Sequence, residues 1–393
     1  MSIRIVIGKN YGDEGKGLAT DYFALKSREE GRSCIVVRHN GGAQAGHTVD
    51  LIDKRFVFHQ LSSGSFRNAD TFWAKTFMPD LFKLNEEYEN FSYVSDTRPK
   101  IFADGEACVV IVTDILVNLA LETMRGDDRH GSCGMGIDEA VRRSADPSYR
   151  VTISDVAGLS IDDLYKRLIL IRDEYVMKRL EDTGLNSFVS GYIDMINDDK
   201  LLYNYASRMV DGYRLISVAD ESILKGYDDI IFEGAQGLLL DQDLVKNAPH
   251  LTSSNTGLIN PVKIIRRAVP EQETGAEAVY VTRSYVTRHG AGPLPNAADL
   301  GLKGVDKTNV INEWQGELRF AVHGEPDEFF EEVGNDIERS GFTGKKTVLI
   351  THLNETDGKL VTVSGKVDIA DYMEGRGISS VLLSDTCLAE DIR

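Results

Sequence analysis

Acidic and basic side chains lie together inside one glycine-rich stretch near the start of the chain. Asp13, Glu14 and Lys16 fall between Gly8 and Gly17. Glycines let backbone N–H groups approach a phosphate closely, and a lysine can neutralise phosphoryl oxygens. A carboxylate at such a site suits a different task, either holding Mg²⁺ or taking a proton from a second substrate. The stretch therefore predicts a phosphate site, although a standard P-loop would have Ser or Thr in place of Gly17.

An imidazole follows a second glycine-rich stretch. His47 comes after Gly41, Gly42 and Gly46, among small residues where its ring could act as a general acid or base. A lone histidine is more often structural, but its place after a second glycine loop favours a catalytic role.

Later loops add further candidates for ligand binding. Residues 125–137 combine glycines with Ser132 and Cys133 between arginines, which is a pattern typical of an anion site. Gln236 lies in a glycine turn after another apolar run. Arg319 is the one arginine of its loop that could form two hydrogen bonds with a carboxylate.

Short apolar runs, each leading into one of these loops, predict the strands that position them. They cover residues 3–7, 33–38, 227–232, 278–285 and 346–350. Helical patterns lie between them, the first at about 18–26. This alternation predicts an α/β fold with a mostly parallel central sheet and P-loop-like glycine-rich loops at its carboxyl edge. We expect one domain over residues 1–393, with helical excursions at about 155–226.

Composition limits the class of protein. The 393 residues carry a formal charge of −18, which argues against broad binding to nucleic acid. The four cysteines are widely spaced and contain no Cys-x-x-Cys pair. Because no apolar run approaches about 20 residues, we expect no membrane span. These features predict a cytoplasmic protein, in the host cytoplasm if it is viral.

Together the loops predict an enzyme that handles phosphorylated, nucleotide-like substrates with Mg²⁺. Five motifs also resemble, in order, those of the adenylosuccinate synthetase family. They are Gly12-Asp13-Glu14-Gly15-Lys16-Gly17, Ala45-Gly46-His47-Thr48, Phe232-Glu233-Gly234-Ala235-Gln236-Gly237, Thr252-Ser253-Ser254-Asn255 and Thr287-Arg288-His289-Gly290-Ala291-Gly292-Pro293. The resemblance spans residues 8 to about 360.

The resemblance implies a C–N ligase that works in two steps. A nucleoside triphosphate would phosphorylate the 6-oxygen of a 6-oxopurine nucleotide, and L-aspartate would then displace that phosphate. Asp13 would take the proton from purine N1, and His47 would stabilise the phosphoryl transfer. Lys16 would neutralise phosphates, and Gln236 would contact the purine.

The resemblance also implies three sets of binding residues. The nucleoside triphosphate would contact Gly12, Glu14, Gly15, Lys16, Gly17, Gly46, His47, Thr48 and Asn354. The acceptor nucleotide would contact Asp13, Gln44, Ser132, Cys133, Arg142, Arg143, Gln236 and Thr252. Aspartate would contact Gln315, Gly316 and Arg319, and Asp13 with the Gly46 carbonyl would hold Mg²⁺. Arg142 or Arg143 would reach the neighbouring subunit's site, which implies a homodimer.

Two departures from the family pattern bear on the substrates. Asn354 stands where the family has a guanine-reading aspartate, which favours ATP over GTP because an amide donates as well as accepts. Glu317 replaces an arginine of the aspartate loop. These changes resemble the viral branch that joins aspartate to dGMP on the way to 2-aminoadenine DNA, although retention of Asp13 argues against that branch.

Three alternatives remain beside dGMP with ATP. The first is a divergent member of the family that uses IMP with GTP or ATP. The second is a nucleotide-binding regulatory protein without catalysis, which the joint presence of Asp13, Lys16 and His47 disfavours. The third, a P-loop GTPase switch, conflicts with Gly17 and with the altered guanine-reading motif.

Overall fold

The structure, a computed structural model, describes residues 1–126, 134–185, 190–302 and 317–393. Its strands are β1 (Ser2–Gly8), β2 (Cys34–Arg38), β3 (His47–Asp50), β4 (Arg55–Phe58), β5 (Asp70–Trp73), β6 (Ile101–Ala103), β7 (Ile216–Val218), β8 (Asp229–Glu233), β9 (Glu277–Arg283), β10 (Val286–Arg288), β11 (Arg319–Ala321), β12 (Lys345–Thr351), β13 (Leu360–Thr362), β14 (Gly365–Val367) and β15 (Ser380–Leu383).

Helices lie between these strands. They are α1 (Lys16–Glu29), α2 (Leu81–Val94), α3 (Val112–Arg125), α4 (Ile137–Ser144), α5 (Ile153–Gly158), α6 (Ile161–Leu170), α7 (Met177–Thr183), α8 (Ser190–Ile196), α9 (Asp199–Tyr213), α10 (Ile259–Ala268), α11 (Pro326–Ser340) and α12 (Ile369–Met373). A π-helical segment, Ile171–Val176, joins α6 to α7.

Nine strands form one central sheet in the order β15-β12-β9-β1-β8-β2-β5-β6-β7. Every neighbouring pair in this sheet is parallel. The strands β2 and β8 are buried along their whole length, as expected for a parallel sheet covered by helices on both faces. The predicted α/β fold with a parallel central sheet is confirmed.

The first strand shows how the sequence separates the two faces. Ile3, Ile5 and Ile7 join a core cluster that includes residues of α10 and α11, whereas Val6 joins the cluster beneath α1. Side chains of a strand alternate between faces, so one apolar run supplies both cores. Burial of each such side chain stabilises the fold by about 1.5–3 kcal/mol.

The strand order determines where the glycine loops meet. The five adjacent strands β12, β9, β1, β8 and β2 are all parallel, so their carboxyl ends lie along one edge. The loops that follow these strands contain many of the predicted site residues, among them Asp13, Gln44, Gln236 and Asn354. The carboxyl edge of an open parallel sheet is where such folds bind ligands.

Two predictions about local structure were incomplete. The helix after the first loop begins at Lys16, two residues earlier than predicted. The segment expected to be helical at about 155–226 also contains β7, which pairs with β6 at the edge of the sheet. Among the described residues, no helix has both the length and the apolar character that a membrane span requires.

Candidate active site

Glu14 stabilises the first glycine loop by accepting hydrogen bonds from other residues of the same loop. Its Oε1 accepts hydrogen bonds from the backbone N–H groups of Asn10, at 3.0 Å, and Gly12, at 2.8 Å. Its Oε2 accepts one from Lys16 Nζ at 2.9 Å, and both charged side chains are buried. Glu14 thus holds the loop in shape, and its contribution to binding a nucleoside triphosphate stays a prediction.

The loop leads directly into an uncapped helix. Gly15, at φ 100°, precedes α1, and no side chain caps its first turn. The N–H groups at this helix start are therefore suited to an anion such as a phosphate. A Cβ at Gly17 would lie 2.9 Å from the Thr48 carbonyl oxygen and 3.2 Å from the His47 Cβ. The hydroxyl residue of a standard P-loop cannot fit here because α1 packs so closely against β3.

His47 is held by a buried carboxylate. Its Nδ1 lies 2.7 Å from Glu233 Oε1, at the end of β8. The hydroxyl of Ser63 donates to the same oxygen, and its backbone N–H donates to Glu233 Oε2 at 3.2 Å. The Arg38 guanidinium approaches Oε2 to 3.9 Å. With Nδ1 engaged, the ring presents Nε2 to a ligand.

The surroundings fix the charges of this pair. Burial opposes ionisation of Glu233, but His47, Arg38 and Ser63 outweigh it and hold the pKa of the carboxyl at about 2. Burial lowers the pKa of His47 to about 4, against the opposing effect of Glu233. At neutral pH the pair is therefore a carboxylate and a neutral imidazole with its proton on Nδ1.

A cavity of about 1370 Å³ opens at this edge of the sheet. The predicted residues that line it are Gly12, Asp13, Glu14, Gly15, Lys16, Gly17, Gln44, Gly46, His47, Thr48, Arg142, Gln236, Thr252 and Asn354. Five lining residues carry polar atoms that are shielded from solvent and have no partner within the described ranges, namely Gln44 Oε1, Thr48 Oγ1, Glu122 Oε2, Arg288 Nε and His289 Nδ1. Such unpaired atoms indicate a ligand-binding site, because buried polar groups are otherwise satisfied.

Asp13 lies between Gly12 and Gly15 in the first glycine loop and lines the cavity. Burial raises the pKa of its carboxyl, while Arg283, His289 and Lys16 oppose that rise. In the part of the chain that the structure describes, no three His, Cys, Asp or Glu side chains form a metal cluster. That Asp13 and the Gly46 carbonyl hold Mg²⁺ stays a prediction.

The prediction that Arg143 reaches a neighbouring subunit or the acceptor is wrong. Arg143 is fully buried and donates to both carboxylate oxygens of Asp114, each at 2.9 Å. It also donates to the Val109 and Tyr149 carbonyls, so it stabilises the packing of α4 on α3. Arg142, one position earlier, faces the cavity instead.

The remaining predicted residues lie at the rim or outside the described ranges. Asn354 is exposed, in a one-turn 3₁₀ segment after β12. The Arg319 guanidinium donates to the Gly290 carbonyl at 2.6 Å, beside the cavity rather than on its wall. Ser132, Cys133, Gln315 and Gly316 are not among the described residues.

Two residues of the site were missed as functional candidates from the sequence. Glu233 was noted only as part of a motif, although a charged end to the apolar strand β8 was a usable signal. Arg283 ends β9 in the same way and donates to the Asp13 carbonyl at 2.6 Å. A charged residue that terminates a buried strand needs a buried partner, which is the physical basis of the signal.

Comparisons with known proteins agree with this geometry. A family model described as adenylosuccinate synthetase matches residues 5–342. Adenylosuccinate synthetase of Clostridium botulinum (strain Eklund 17B / Type B) is 31% identical over 307 residues, which is 75% of this chain and 65% of the relative. That of Picrophilus torridus is 29% identical over 304 residues, 75% of this chain and 64% of the relative. The matched part thus spans about 65% of the length of such relatives.

Two solved structures share the fold. A fully ligated adenylosuccinate synthetase from Plasmodium falciparum superposes with a TM-score of 0.71 at 17% identity, covering 100% of this chain and 99% of that one. Cyanophage S-2L succinoaminodeoxyadenylate synthetase, bound to dGMP and dATP, gives 0.63 at 15% identity, with 100% and 95% covered. Since the family model matches most of the sequence and the fold extends over the whole chain, the protein belongs to the adenylosuccinate synthetase family.

Proposed function

We propose that this chain is a ligase that joins L-aspartate to C6 of a 6-oxopurine nucleoside monophosphate. The proposal rests on the set of residues found at one cavity. It contains the phosphate loop with Asp13 and Lys16, the His47–Glu233 pair, and Gln236 on the facing loop. A phosphate site, a proton acceptor and a polarised imidazole are the groups that a phosphoryl transfer to a purine oxygen requires.

In the first step Asp13 takes the N1 proton of the acceptor purine while O6 attacks the γ-phosphorus. The bond to the leaving nucleoside diphosphate breaks, and a 6-phosphoryl nucleotide forms. His47, oriented by Glu233 through Nδ1, takes up a proton at Nε2 as the anionic phosphates bind and donates a hydrogen bond from there to the transferring group, and Lys16 neutralises phosphate charge. Asp13 and the Gly46 carbonyl would hold Mg²⁺, which supplies charge neutralisation at the phosphates when bound.

In the second step the amine of aspartate attacks C6, and phosphate leaves with the former O6. Arg319, whose guanidinium donates to the carbonyl of the cavity-lining Gly290, would bind a carboxylate of this substrate. Gln236, held at φ 64°, contacts the purine in both steps. The products are a succinylated purine nucleotide, a nucleoside diphosphate and phosphate.

For the substrates we propose dGMP and ATP, which would give N6-succino-2-amino-2′-deoxyadenylate. Asn354 supports ATP because it replaces the guanine-reading aspartate of the family pattern and lines the cavity. Glu317, in place of an arginine of the aspartate loop, supports an altered acceptor. IMP is the second candidate acceptor, favoured by the retention of Asp13.

We further propose a homodimer with shared active sites, in which Arg142 is the arginine that crosses between subunits. Arg142 is half-exposed, and its Nε donates to Asp138 at 2.7 Å, so its remaining donors stay available to an acceptor phosphate. Light scattering of the purified protein, with and without Arg142→Ala, tests the assembly separately from turnover.

The test of the proposed function is phosphate release with aspartate and Mg²⁺ in four substrate pairings. IMP or dGMP is combined with ATP or GTP, and the succinylated product is identified by mass. Turnover with dGMP and ATP is the expected result. If the protein turns over only with IMP, the acceptor nucleotide is IMP and not dGMP. Absence of product in all four pairings would overturn the ligase assignment.

A further inference from the structure

The backbone of Asp13 adopts a conformation that must be held in place. Its φ is 62°, in the left-handed region that non-glycine residues rarely adopt, and it lies between Gly12 at φ 101° and Gly15 at φ 100°. Such a conformation costs of order 1–3 kcal/mol and persists only where the surrounding structure fixes it. The orientation of the Asp13 carboxylate therefore depends on whatever holds its carbonyl.

The last residues of two neighbouring strands donate hydrogen bonds to carbonyl groups of the loop. Arg283, the last residue of β9, is 4% exposed, and its Nε–H donates to the Asp13 carbonyl at 2.6 Å. Thr351, the last residue of β12, donates from its hydroxyl to the Glu14 carbonyl at 2.9 Å. The two residues are direct partners in the sheet register. Consecutive carbonyls of the loop are thus fixed from adjacent, rigid strands.

The guanidinium of Arg283 is itself held from its far side. Its Nη1 donates to the Tyr285 hydroxyl at 3.2 Å, and the guanidinium carbon lies 5.8 Å from the Tyr285 ring centre. The Tyr285 hydroxyl donates in turn to the Glu355 carboxylate. Glu355 follows Asn354 in the one-turn segment Leu353–Glu355. We call this segment the donor-base turn, because Asn354 is proposed to contact the base of the nucleoside triphosphate that donates the phosphate. A continuous chain of contacts therefore links this turn to Asp13.

We propose that Arg283 is a positioning residue for Asp13, steadied by Tyr285 and Glu355 from the donor-base turn. The inference rests on the proposed function, in which Asp13 takes the N1 proton of the acceptor. Arg283 suits the role because its planar guanidinium donates in two directions at a fixed angle, which a lysine ammonium cannot reproduce. Arg283 acts through the loop backbone and not through contact with the reacting atoms.

The kinetic test compares Arg283→Ala, Arg283→Lys and Tyr285→Phe with the unaltered chain. Because a displacement of about 1 Å at a reacting group costs about 100-fold, we expect Arg283→Ala to lower kcat about 100-fold. The KM for both nucleotides should stay within about twofold, since nucleotide binding is not what Arg283 serves. Arg283→Lys and added guanidinium should each restore part of kcat, and Tyr285→Phe should cost less than Arg283→Ala.

The matched control is Arg267→Ala. This arginine on α10 is ion-paired with Glu221 at 2.6 Å and lies away from the cavity. We expect Arg267→Ala to have the kcat of the unaltered chain, both with and without added guanidinium. An unchanged kcat in Arg283→Ala would overturn the proposal, as would a loss that guanidinium and lysine both fail to reverse.

Hydrogen exchange provides a measurement that needs no turnover. In Arg283→Ala the peptide over residues 9–17 should exchange faster, while the peptide over β8 keeps its original rate. Equal acceleration in both peptides, or none in residues 9–17, would contradict a positioning role. If the unaltered chain makes no succinylated product, the proposed function fails, and this exchange comparison still decides whether Arg283 holds the loop.

Discussion

Replacing Glu233 with glutamine tests a fully buried charge of the candidate site. Glu233 is fully buried, between the His47 ring and the Arg38 guanidinium, and its pKa falls from 4.5 to about 2. At about 1.4 kcal/mol per pH unit, this shift corresponds to about 3 kcal/mol of stability. Because the folded-state pKa is lowered, the contribution is present above pH 4.5 and is lost as the pH falls towards 2.

At pH 7 His47 is neutral, so the part of this contribution that depends on an imidazolium is absent. We expect Glu233→Gln to lower the unfolding free energy by at most about 3 kcal/mol, which for a chain of this size is a fall in Tm of at most roughly 3–6 °C. The neutral glutamine no longer stabilises an imidazolium at His47 that donates from Nε2 to the transferring phosphate, so kcat should fall by at least about 100-fold. Thermal unfolding and the phosphate-release assay measure the two effects on the same sample.

The matched control is a second buried glutamate that does not contact His47. Glu87 accepts hydrogen bonds from the backbone N–H groups of His59, Gln60 and Leu61, and burial raises its pKa to about 7. Glu87→Gln should leave kcat within about twofold. A Glu233→Gln variant whose Tm and kcat both match those of the unaltered chain would refute the account of the His47–Glu233 pair.

Three further predictions concern recognition of the nucleoside triphosphate base by Asn354, the buried Arg143, and the pH dependence of the Glu87 contribution to stability. Asn354→Asp should shift the ratio of kcat/KM for ATP over GTP towards GTP by about tenfold, because a carboxylate only accepts hydrogen bonds; an unchanged ratio would remove Asn354 from base recognition. Arg143→Leu should lower the unfolding free energy by about 3–5 kcal/mol, measured by thermal unfolding, because it leaves the buried Asp114 carboxylate unpaired; a Tm equal to that of the unaltered chain would contradict the buried pair. For Glu87 the folded-state pKa is raised, so its contribution to stability is present below pH 4.5 and is lost as the pH rises through 7. Glu87→Gln should therefore gain Tm relative to the unaltered chain between pH 5 and 8, and a difference independent of pH would count against this assignment.

The positions of the glycine loops could be predicted because each follows a strand with a clear apolar pattern. Ile3, Ile5 and Ile7 on one face of β1 and Val6 on the other put buried apolar residues on both faces, which is typical of a strand in a covered parallel sheet. Parallel strands place their carboxyl ends together, so the convergence of the loops followed from the fold class. The three-residue strand β7 was missed because so short a run carries no measurable period.

The pairing of charges could not be predicted, since it depends on contacts between distant parts of the chain. His47 and Glu233 are 186 residues apart, and the pair forms because β2 and β8 are neighbours in the sheet. Arg142 and Arg143 are adjacent on α4, and one turns to the cavity while the other enters the core. Only the packing of α4 against α3 decides which of the two is buried.

The measurement that tests the central claim most directly is the fate of the acceptor's 6-oxygen. The acceptor nucleotide is labelled with ¹⁸O at C6 and allowed to react with ATP, aspartate and Mg²⁺, and the released phosphate is examined by mass. The account predicts that the label appears in phosphate, one atom for each succinylated nucleotide formed. Phosphate released without the label, alongside a succinylated product, would contradict a 6-phosphoryl intermediate and the roles proposed for Asp13 and His47.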